Sequence, residues 1–308
     1  MYPFHLQYPL KIWSKYRWWK NRNLKSKLKN LNRYKKTISV IDRLGAPGDT
    51  LITANLIRCI KKVYTKIKVN CITPNPKIIE FDPSIDSINK PENFYSFDSS
   101  YLELVSEEEK DINIVKFNLN KLGINYYHYK SRFYLTSLEK EWANKIINSL
   151  NLKKPPIAIC TRSKEPVKNW PTNYWAKLIP KLQLNNSIIQ IGDESEPNFN
   201  NTIKFAGKFT IRESAAILSK CQYFIGPDSL LMHIANGLDI PSIIIFGGAR
   251  PVNSFAYTEN ENLHSKPDCS PCWIHKSDRE CENDLKCMSY ISHEQVFTSF
   301  IKLQKQFK

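Results

Sequence analysis

The chain is 308 residues long, about twice the length of an average domain, so two domains are expected. Hydrophobic residues make up 42% of it and aromatic residues 12%, which is enough for packed cores and excludes an intrinsically disordered chain. No apolar run reaches the roughly 18 residues of a membrane-spanning helix, and the N-terminus lacks the apolar core of a secretory signal, so a cytoplasmic protein is expected.

The net charge of +16 is concentrated at the N-terminus. Residues 1–36, the basic leader, contain 11 lysines and arginines and no acidic residue, which leaves a net charge of only +5 for the rest of the chain. Tryptophan and tyrosine alternate with basic residues in 12–20, a composition suited to an anionic membrane surface. We predict a membrane contact, with a tail that is mobile or packs on the body as an equal alternative. Nucleic-acid binding is unlikely, because no nucleic-acid-binding module follows.

Alternating strands and helices from Thr37 onward predict an α/β fold with parallel sheets. In the first half the predicted elements are a strand at Thr37–Ile41, a helix at Thr50–Tyr64, strands at Ile67–Thr73 and Asp111–Phe117, and a helix at Thr136–Leu150. Thr136 and Glu139 have the spacing of a capping box. A proline-containing linker at 151–156 then predicts a first domain over residues 37–152 and a second over 153–308.

The alternation restarts after the linker. The predicted elements are a strand at Ile157–Cys160, a helix at Thr172–Leu184, a strand at Ser187–Ile191, a helix at Ile211–Ser219, a strand at Tyr223–Ile225, a helix from Ser229, a strand at Pro241–Phe246 and a closing helix near His293–Leu303. Four cysteines fall in predicted core elements and are expected to be buried as small hydrophobic residues: Cys59, Cys71, Cys160 and Cys221. In such sheets, ligands bind at the carboxyl ends of the strands, where helix N-termini point.

The loop after the first strand carries the first candidate chemistry. It runs from Arg43 to Thr50 and contains Gly45 and Gly48, which let the backbone approach an anion closely. Asp49 is either a general base or the N-cap of the following helix, and the pattern alone favours the cap.

Two loops of the second half are suited to bind a diphosphate. In Gly226–Ser229, Asp228 is a predicted N-cap and Ser229 can hold a phosphate, whereas His233, on the same helix face as Ser229, is more often a satisfied core histidine. Thr161–Lys168 places Arg162 and a lysine after a strand, where they are suited to neutralise a diphosphate. A solvated basic loop is the alternative there.

Two further clusters are open to more than one interpretation. Glu194 and Glu196 follow a strand and are suited to accept hydrogen bonds from ribose hydroxyls, although acidic turns are common. Four cysteines lie within 19 residues of one another: Cys269, Cys272, Cys281 and Cys287. Their spacing is looser than in zinc fingers, and disulfides are disfavoured in a cytosolic chain. A structural metal ion, zinc or iron, and reduced thiols are the two alternatives.

Together and in this order, the motifs resemble glycosyltransferase family 9, the ADP-heptose–lipopolysaccharide heptosyltransferase family. The resemblance covers about residues 37–300 and leaves the basic leader outside. It rests on Arg43-Leu44-Gly45-x-x-Gly48-Asp49, Lys168-x-Trp170-Pro171, Gly226-x-Asp228-Ser229-x3-His233, and Cys269-x-Pro271-Cys272 followed by Cys287-Met288. The family implies a GT-B fold, in which two Rossmann-like domains face a cleft, and inverting, metal-independent sugar transfer.

The resemblance also implies a role for each candidate residue. Asp49 is the base that deprotonates the acceptor hydroxyl, in a loop with Arg43, Gly45 and Gly48. The implied donor-binding residues are Thr161, Arg162, Ser163, Lys168, Glu194, Glu196, Gly226, Asp228, Ser229 and His233. The implied partners are a nucleotide-sugar donor and a lipid-linked or lipopolysaccharide acceptor at the inner membrane face, and catalysis requires no cofactor.

Two residues depart from the family pattern. Leu230 stands where the family commonly has glycine, and Arg250 adds a positive charge to the turn after the next strand. These departures leave the identity of the donor open. The alternatives to a glycosyltransferase are a non-catalytic relative that binds nucleotide sugars or saccharides, and a metal-stabilised nucleic-acid-binding protein.

Overall fold

The computed structural model describes residues 24–91, 95–101, 111–272 and 281–307. Within these residues the chain divides into two compact units. The first contains residues 24–76, 83–101 and 115–128, and the second contains residues 77–82, 111–114 and those from 129 onward. Each unit has its own parallel sheet with helices, which confirms the predicted α/β class. The second unit takes in residues 129–150, which precede the predicted linker.

The first unit is built on a parallel sheet with the strand order β3-β2-β1-β4. Its strands are β1 (Thr37–Asp42), β2 (Lys68–Ile72), β3 (Ser87–Ile88) and β4 (Ser96–Ser99). Its helices are α1 (Leu24–Arg33) and α2 (Pro47–Val63), while α3 (Pro76–Ile79) and α4 (Ile114–Lys121) lie where the chain passes between units. Ile38 and Val40 of the central strand β1 are fully buried, as expected for a strand paired on both sides.

The prediction of a strand at Asp111–Phe117 is wrong, because this segment leads into helix α4. Its β-branched residues are typical of a strand. Buried side chains nevertheless recur at Ile114, Asn118 and Leu122, which lie on one face of a helix. Gly123 follows the helix with a φ of +64°, the left-handed conformation that commonly ends helices.

The basic leader is partly integrated into the first unit. Leu28 and Leu31 of helix α1 are buried, and Asn32 Oδ1 accepts a hydrogen bond from Lys66 N at 2.8 Å. Residues 1–23, which include the aromatic and basic cluster at 12–20, lie outside the described residues. Among the helices that the structure describes, none has the length and hydropathy needed to span a bilayer.

The second unit is built on a larger parallel sheet with the strand order β10-β9-β8-β5-β6-β7. Its strands are β5 (Ile157–Ile159), β6 (Ile188–Gln190), β7 (Ile203–Lys204), β8 (Tyr223–Pro227), β9 (Ser242–Phe246) and β10 (Glu261–His264). Every residue of β5, β8 and β9 is buried, because both faces of these central strands are covered. The strands predicted in this half are therefore confirmed, and the short strands β7 and β10 are added to them.

Helices surround this second sheet. They are α5 (Ser137–Ser149), α6 (Thr172–Gln183), α7 (Ile211–Leu218), α8 (Leu230–Gly237), α9 (Val252–Phe255), α10 (Lys286–Ser289) and α11 (His293–Gln306). The predicted capping box of Thr136 and Glu139 is confirmed at the start of α5. The core between sheet and helices includes Trp170, Trp175 and Phe300, each at most 1% exposed.

Candidate functional site

Four loops of the second unit meet at one edge of its sheet, because they follow the adjacent parallel strands β9, β8, β5 and β6. The loops begin at Gly247, Asp228, Cys160 and Ile191. Glycine allows two close approaches between them. A Cβ at Gly247 would lie 2.9 Å from Val167 O, and one at Gly226 would lie 3.2 Å from Cys160 O. The charged side chains of different loops are thereby brought into contact.

Lys168 is at the centre of a partly buried ion cluster. Its side chain is 9% exposed, and its Nζ lies 3.1 Å from Asp228 Oδ2 and 3.4 Å from Glu165 Oε1. Arg250 Nη2 contacts the same Glu165 carboxylate at 3.2 Å. The solvated basic loop is therefore the wrong interpretation of Lys168. Glu165 and Arg250 complete the cluster but were not assigned to a site from the sequence.

The sequence predicted that Asp228 caps the following helix. In the structure Asp228 takes part in the ion cluster instead, and Ser229 occupies the N-cap position. Burial opposes the ionisation of Asp228, but the charges of Lys168 and Arg250 outweigh that effect and lower its pKa. Ser229 is the N-cap residue of α8, and its side chain makes no capping hydrogen bond. Its Oγ is buried and lacks a hydrogen-bond partner among the described residues. A buried hydroxyl without a partner at a helix N-terminus is suited to contact an anion.

His233 is a satisfied core residue on helix α8. It is 4% exposed, and its Nδ1 lies 2.7 Å from the hydroxyl of Tyr257. Tyr257 in turn stacks on Tyr129 with ring centroids 4.4 Å apart. Burial, reinforced by the charges of Lys168 and Arg250, lowers the pKa of His233 to about 4 despite Asp228 nearby. The ring is therefore neutral at physiological pH, and its role in the described residues is to pack in the core beneath the loop that carries Asp228 and Ser229.

The loop after β5 is held by the buried carboxylate of Glu196. Its oxygens accept hydrogen bonds from Thr161 N and Oγ1, from Arg162 N at 2.9 Å and from Gln190 Nε2 at 2.8 Å. Glu196 is 3% exposed, so its carboxylate is engaged within the protein. Glu194 is exposed, and of the two glutamates it is the one accessible to a ribose.

The same loop is braced further along its length. Ser163 N donates to Asn169 Oδ1 at 2.6 Å, and Ser163 Oγ accepts from Glu165 N. Arg162 reaches the start of α6 through a hydrogen bond to Thr172 Oγ1 at 2.9 Å. The backbone that carries the ion cluster is thus fixed by its own side chains.

The candidate loop of the first unit lies between β1 and α2 and is organised by Asp42. Asp42 Oδ1 accepts from Gly45 N at 3.0 Å, and Oδ2 accepts from Thr50 Oγ1 at 2.6 Å and Thr73 Oγ1 at 2.9 Å. Burial raises the pKa of Asp42 although these hydrogen bonds lower it. Gly45 has a φ of +70°, and a Cβ there would lie 3.1 Å from Pro74, so this turn requires glycine.

Asp49 is not the N-cap that the pattern favoured. Helix α2 begins at Pro47 after Ala46, whose side chain makes no capping bond, and Asp49 is the third helical residue. Proline suits a first helical position because no N–H is needed there, so the helix starts earlier than predicted. Asp49 and Gly48 are half-buried, whereas Arg43 is exposed. The roles of these three residues remain predictions.

The four clustered cysteines converge on one small cavity of about 20 Å³. They are Cys269, Cys272, Cys281 and Cys287, and all are free thiols. Burial raises the pKa of the Cys287 thiol, and its three cysteine neighbours raise it further. Four sulfur donors suit zinc or iron chemically. No group of three or more possible ligands in the described residues has the arrangement of a metal site, so the thiols stop short of coordination geometry.

Sequence comparison connects this arrangement to a known family. Residues 113–282, more than half of the chain, match the pattern of glycosyltransferase family 9 (heptosyltransferase). The chain belongs to glycosyltransferase family 9. The matched segment contains Lys168, Asp228 and Ser229 but begins after Asp49. Lipopolysaccharide heptosyltransferase 2 of Salmonella typhimurium is 25% identical over 119 residues, which cover 33% of this chain. The match spans 34% of that curated relative, about a third of its length.

Solved structures of bacterial glycosyltransferases have the same fold. The iron-containing dodecameric glycosyltransferase TibC of enterotoxigenic E. coli superposes with a TM-score of 0.71 at 18% identity, over 89% of this chain and 77% of TibC. The E. coli ADP-heptose lipopolysaccharide heptosyltransferase II gives a TM-score of 0.63 at 14% identity, over 88% of this chain and 99% of that one. These matches confirm the GT-B class of two Rossmann-like units.

We expect His233 to make the protein less stable as the pH falls from about 6.5 to about 4. In this window the unfolded chain binds a proton that the folded chain excludes, because the folded pKa is about 4. The unfolding free energy of the wild type should therefore fall, relative to His233→Gln, by up to about 3 kcal/mol. Urea denaturation between pH 7 and pH 4 measures this difference.

The matched control for this experiment is His128→Gln, which changes an exposed histidine of the first unit. Parallel stability curves for wild type and His233→Gln across the window would contradict the expectation. An NMR titration of the His233 ring with a midpoint near 6.5 would contradict it as well.

Proposed function

We propose that the protein is a glycosyltransferase that moves a sugar from a nucleoside-diphosphate donor onto a cell-surface saccharide. The observation that carries this proposal is the buried, unpartnered Ser229 hydroxyl, one residue after the Lys168–Asp228 ion pair. A buried hydroxyl without a partner costs free energy, and a phosphate oxygen at the start of α8 would satisfy it. Nucleotides bind at this edge of parallel sheets, which supports the assignment.

The ion cluster suits the chemistry of the leaving group. As the bond from the anomeric carbon to the diphosphate breaks, negative charge grows on the departing nucleoside diphosphate. Lys168 supplies positive charge where little water screens it, and the dipole of α8 adds to it. These groups supply the charge that a divalent cation provides in other sites, so the proposed transfer is metal-independent. Glu194 is the proposed partner of the ribose, while Glu196 and Thr161 shape the loop.

Asp49 is the proposed general base. It would take the proton of the acceptor hydroxyl as that oxygen attacks the anomeric carbon from the side opposite the diphosphate, so the configuration inverts. A positioned base contributes roughly 10²–10⁴-fold to the rate. The hydrogen bonds of Asp42 and the fixed turn at Gly45 support this role, because they hold the turn that leads into helix α2, whose first turn contains Gly48 and Asp49.

The proposed donor sugar is a heptose carried by ADP, and the proposed acceptor is a lipopolysaccharide. TibC has been solved in complex with ADP-D-beta-D-heptose, and the Salmonella relative is named as a lipopolysaccharide heptosyltransferase. One observation favours a second candidate, binding of nucleotide sugars without turnover. Leu230 occupies the first position of α8, beside Ser229, where the family commonly has glycine.

We place the proposed activity at the cytoplasmic face of the inner membrane, with the basic leader on anionic lipid. Helix α1 supports this placement, because Leu28 and Leu31 are buried while Lys25, Lys29 and Arg33 are exposed. The helix thus presents a basic surface. Each basic residue near such a membrane contributes about 1 kcal/mol.

A structural metal ion in the cysteine cavity is the accompanying proposal. Two observations support it: the four thiols line one cavity, and TibC is described as iron-containing. Cys269, Cys272, Cys281 and Cys287 would hold the ion, which would stabilise the fold and take no part in sugar transfer.

For the general base, we expect Asp49→Asn to lower sugar transfer at least about 100-fold while ADP and ADP-heptose bind unchanged. Transfer to lipopolysaccharide acceptors and calorimetric titration of the donor measure the two effects. Asp239→Asn, a change at an exposed aspartate, is the matched control.

Full activity of Asp49→Asn would refute the role of Asp49. Donor binding without turnover in the wild type would favour the second candidate, and absence of donor binding would refute the enzyme.

For the leader, we expect removal of residues 1–23 to reduce sedimentation with vesicles that contain phosphatidylglycerol. The truncation removes the basic and aromatic cluster but keeps α1, whose buried leucines belong to the first unit. Binding of the full chain should weaken with added salt and be absent with neutral phosphatidylcholine vesicles, because charge drives it. Equal partitioning of both proteins would contradict the membrane proposal.

For the metal, we expect about one zinc or iron ion per chain when the protein is purified anaerobically, by elemental analysis. Cys272→Ser should remove the ion and lower the melting temperature, whereas Cys221→Ser, in a buried position outside the cavity, should retain the ion. If the wild-type protein is free of metal and added ions do not change its melting temperature, the metal proposal is wrong and the four cysteines are reduced thiols.

A further inference from the structure

Glu165 bridges two cations that are largely buried and belong to different loops. Its Oε1 lies 3.4 Å from Lys168 Nζ and 3.2 Å from Arg250 Nη2, and its Oε2 lies 3.4 Å from the same arginine nitrogen. The side chains of Lys168 and Arg250 are 9% and 11% exposed, whereas that of Glu165 is 30% exposed. A carboxylate that can reach solvent thus holds two positive charges that are largely removed from it.

The two carboxylates of the ion cluster differ in how firmly they are held. Asp228 is 6% exposed, begins the turn between β8 and α8 and lies 3.1 Å from Lys168, so it is the more deeply buried of the two carboxylates that contact this lysine. Glu165 precedes the short 3-10 helix Pro166–Lys168, and its side chain makes no capping bond there. Its carboxylate is therefore free to leave without loss of a helix cap, provided that another anion takes its place on the cations.

Arg250 is placed to share an anion with Lys168. It lies in the turn after β9, and the Gly247 backbone of this turn packs against Val167 at a distance that leaves no room for a Cβ. The guanidinium also lies over the Phe255 ring, 5.1 Å from its centroid, which fixes its orientation. A guanidinium offers paired N–H donors that match phosphate oxygens, and a lysine beside it adds a point charge.

We propose that Lys168 and Arg250 form a two-cation site for the diphosphate of the donor, and that Glu165 occupies this site until the donor displaces it. The inference rests on the proposed function and deepens it. Arg250 becomes a donor-binding residue, and Glu165 sets the donor affinity by competing with the diphosphate. Part of the binding free energy is then used to displace the carboxylate, so the observed affinity is lower than that of an open site.

The inference predicts opposite effects on ligand affinity when Glu165 or Arg250 loses its charge. A purely structural ion pair would not give opposite effects. We expect Glu165→Gln to bind ADP and inorganic pyrophosphate roughly tenfold more tightly than the wild type, because the Glu165 carboxylate no longer competes. We expect Arg250→Gln to bind both ligands roughly tenfold more weakly, because the charged guanidinium, which donates hydrogen bonds to phosphate oxygens, is lost. Adenosine, which lacks phosphate, should be unaffected by either change. Calorimetric titration of the full chain measures all three ligands.

Two matched controls are available in the same unit. Glu261→Gln removes a carboxylate of similar exposure, 29%, that pairs with Lys302, and Arg132→Gln removes an arginine that pairs with Asp239. Neither should change ADP or pyrophosphate binding. Glu165→Asp provides a second variant in case Glu165→Gln folds poorly, since its shorter carboxylate withdraws from the cations and should give a smaller gain in affinity.

The outcomes distinguish this inference from the proposed function. If the wild type binds ADP but Glu165→Gln and Glu165→Asp bind it equally or more weakly, the competing carboxylate is refuted while the donor site stands. If Arg250→Gln binds ADP as the wild type does, Arg250 is refuted as a donor contact. If pyrophosphate binds with the expected pattern but ADP and ADP-sugars do not bind, the anion site stands and the proposed glycosyltransferase function fails.

Discussion

Burial of charge at the carboxyl edge of the second sheet is the constraint on which the rest of the structure depends. Removing an ammonium group from water costs several kcal/mol, and only a counterion at contact distance offsets it. Lys168 finds that counterion in Asp228 because β5 and β8 are neighbours in the sheet, so the loops that follow them start side by side. The strand order therefore determines the charge arrangement, and the charge arrangement determines which ligands the edge can accept.

The position of Lys168 is also set from the hydrophobic core. Two residues later, Trp170 is 1% exposed, donates from Nε1 to Ile291 O at 2.9 Å and meets Trp175 edge to face. The loop is thus anchored on one side by an indole and on the other by Glu196. A lysine on a loop held at both ends keeps its charge at a fixed point, which is what preorganised electrostatic stabilisation requires.

Local patterns in the sequence predicted the features that depend on neighbouring residues. The apolar run Ser242–Phe246 and the capping box at Thr136 need no distant partner to be recognised, and both are present in the structure. Asp42 and Glu165 were missed, and Arg250 was noted only as an added charge, because the partners of these residues lie far along the chain. Thr73 is 31 residues from Asp42, and Arg250 is 85 residues from Glu165. Such pairs follow from strand order and loop packing, which no local periodicity encodes.

The turn at Gly247 and Gly248 connects the ion cluster with the cysteine cavity. On one side it packs against Val167, next to Lys168, and on the other a Cβ at Gly248 would lie 2.7 Å from Ser270 Oγ and 2.9 Å from Cys287 Cβ. Gly248 O also accepts hydrogen bonds from Cys272 N and Ser270 Oγ, both at 3.1 Å. A turn packed this closely on both faces has no space in which to absorb a displacement. Order in the cysteine cavity therefore fixes the backbone that carries Arg250, and the stability of one site contributes directly to the geometry of the other.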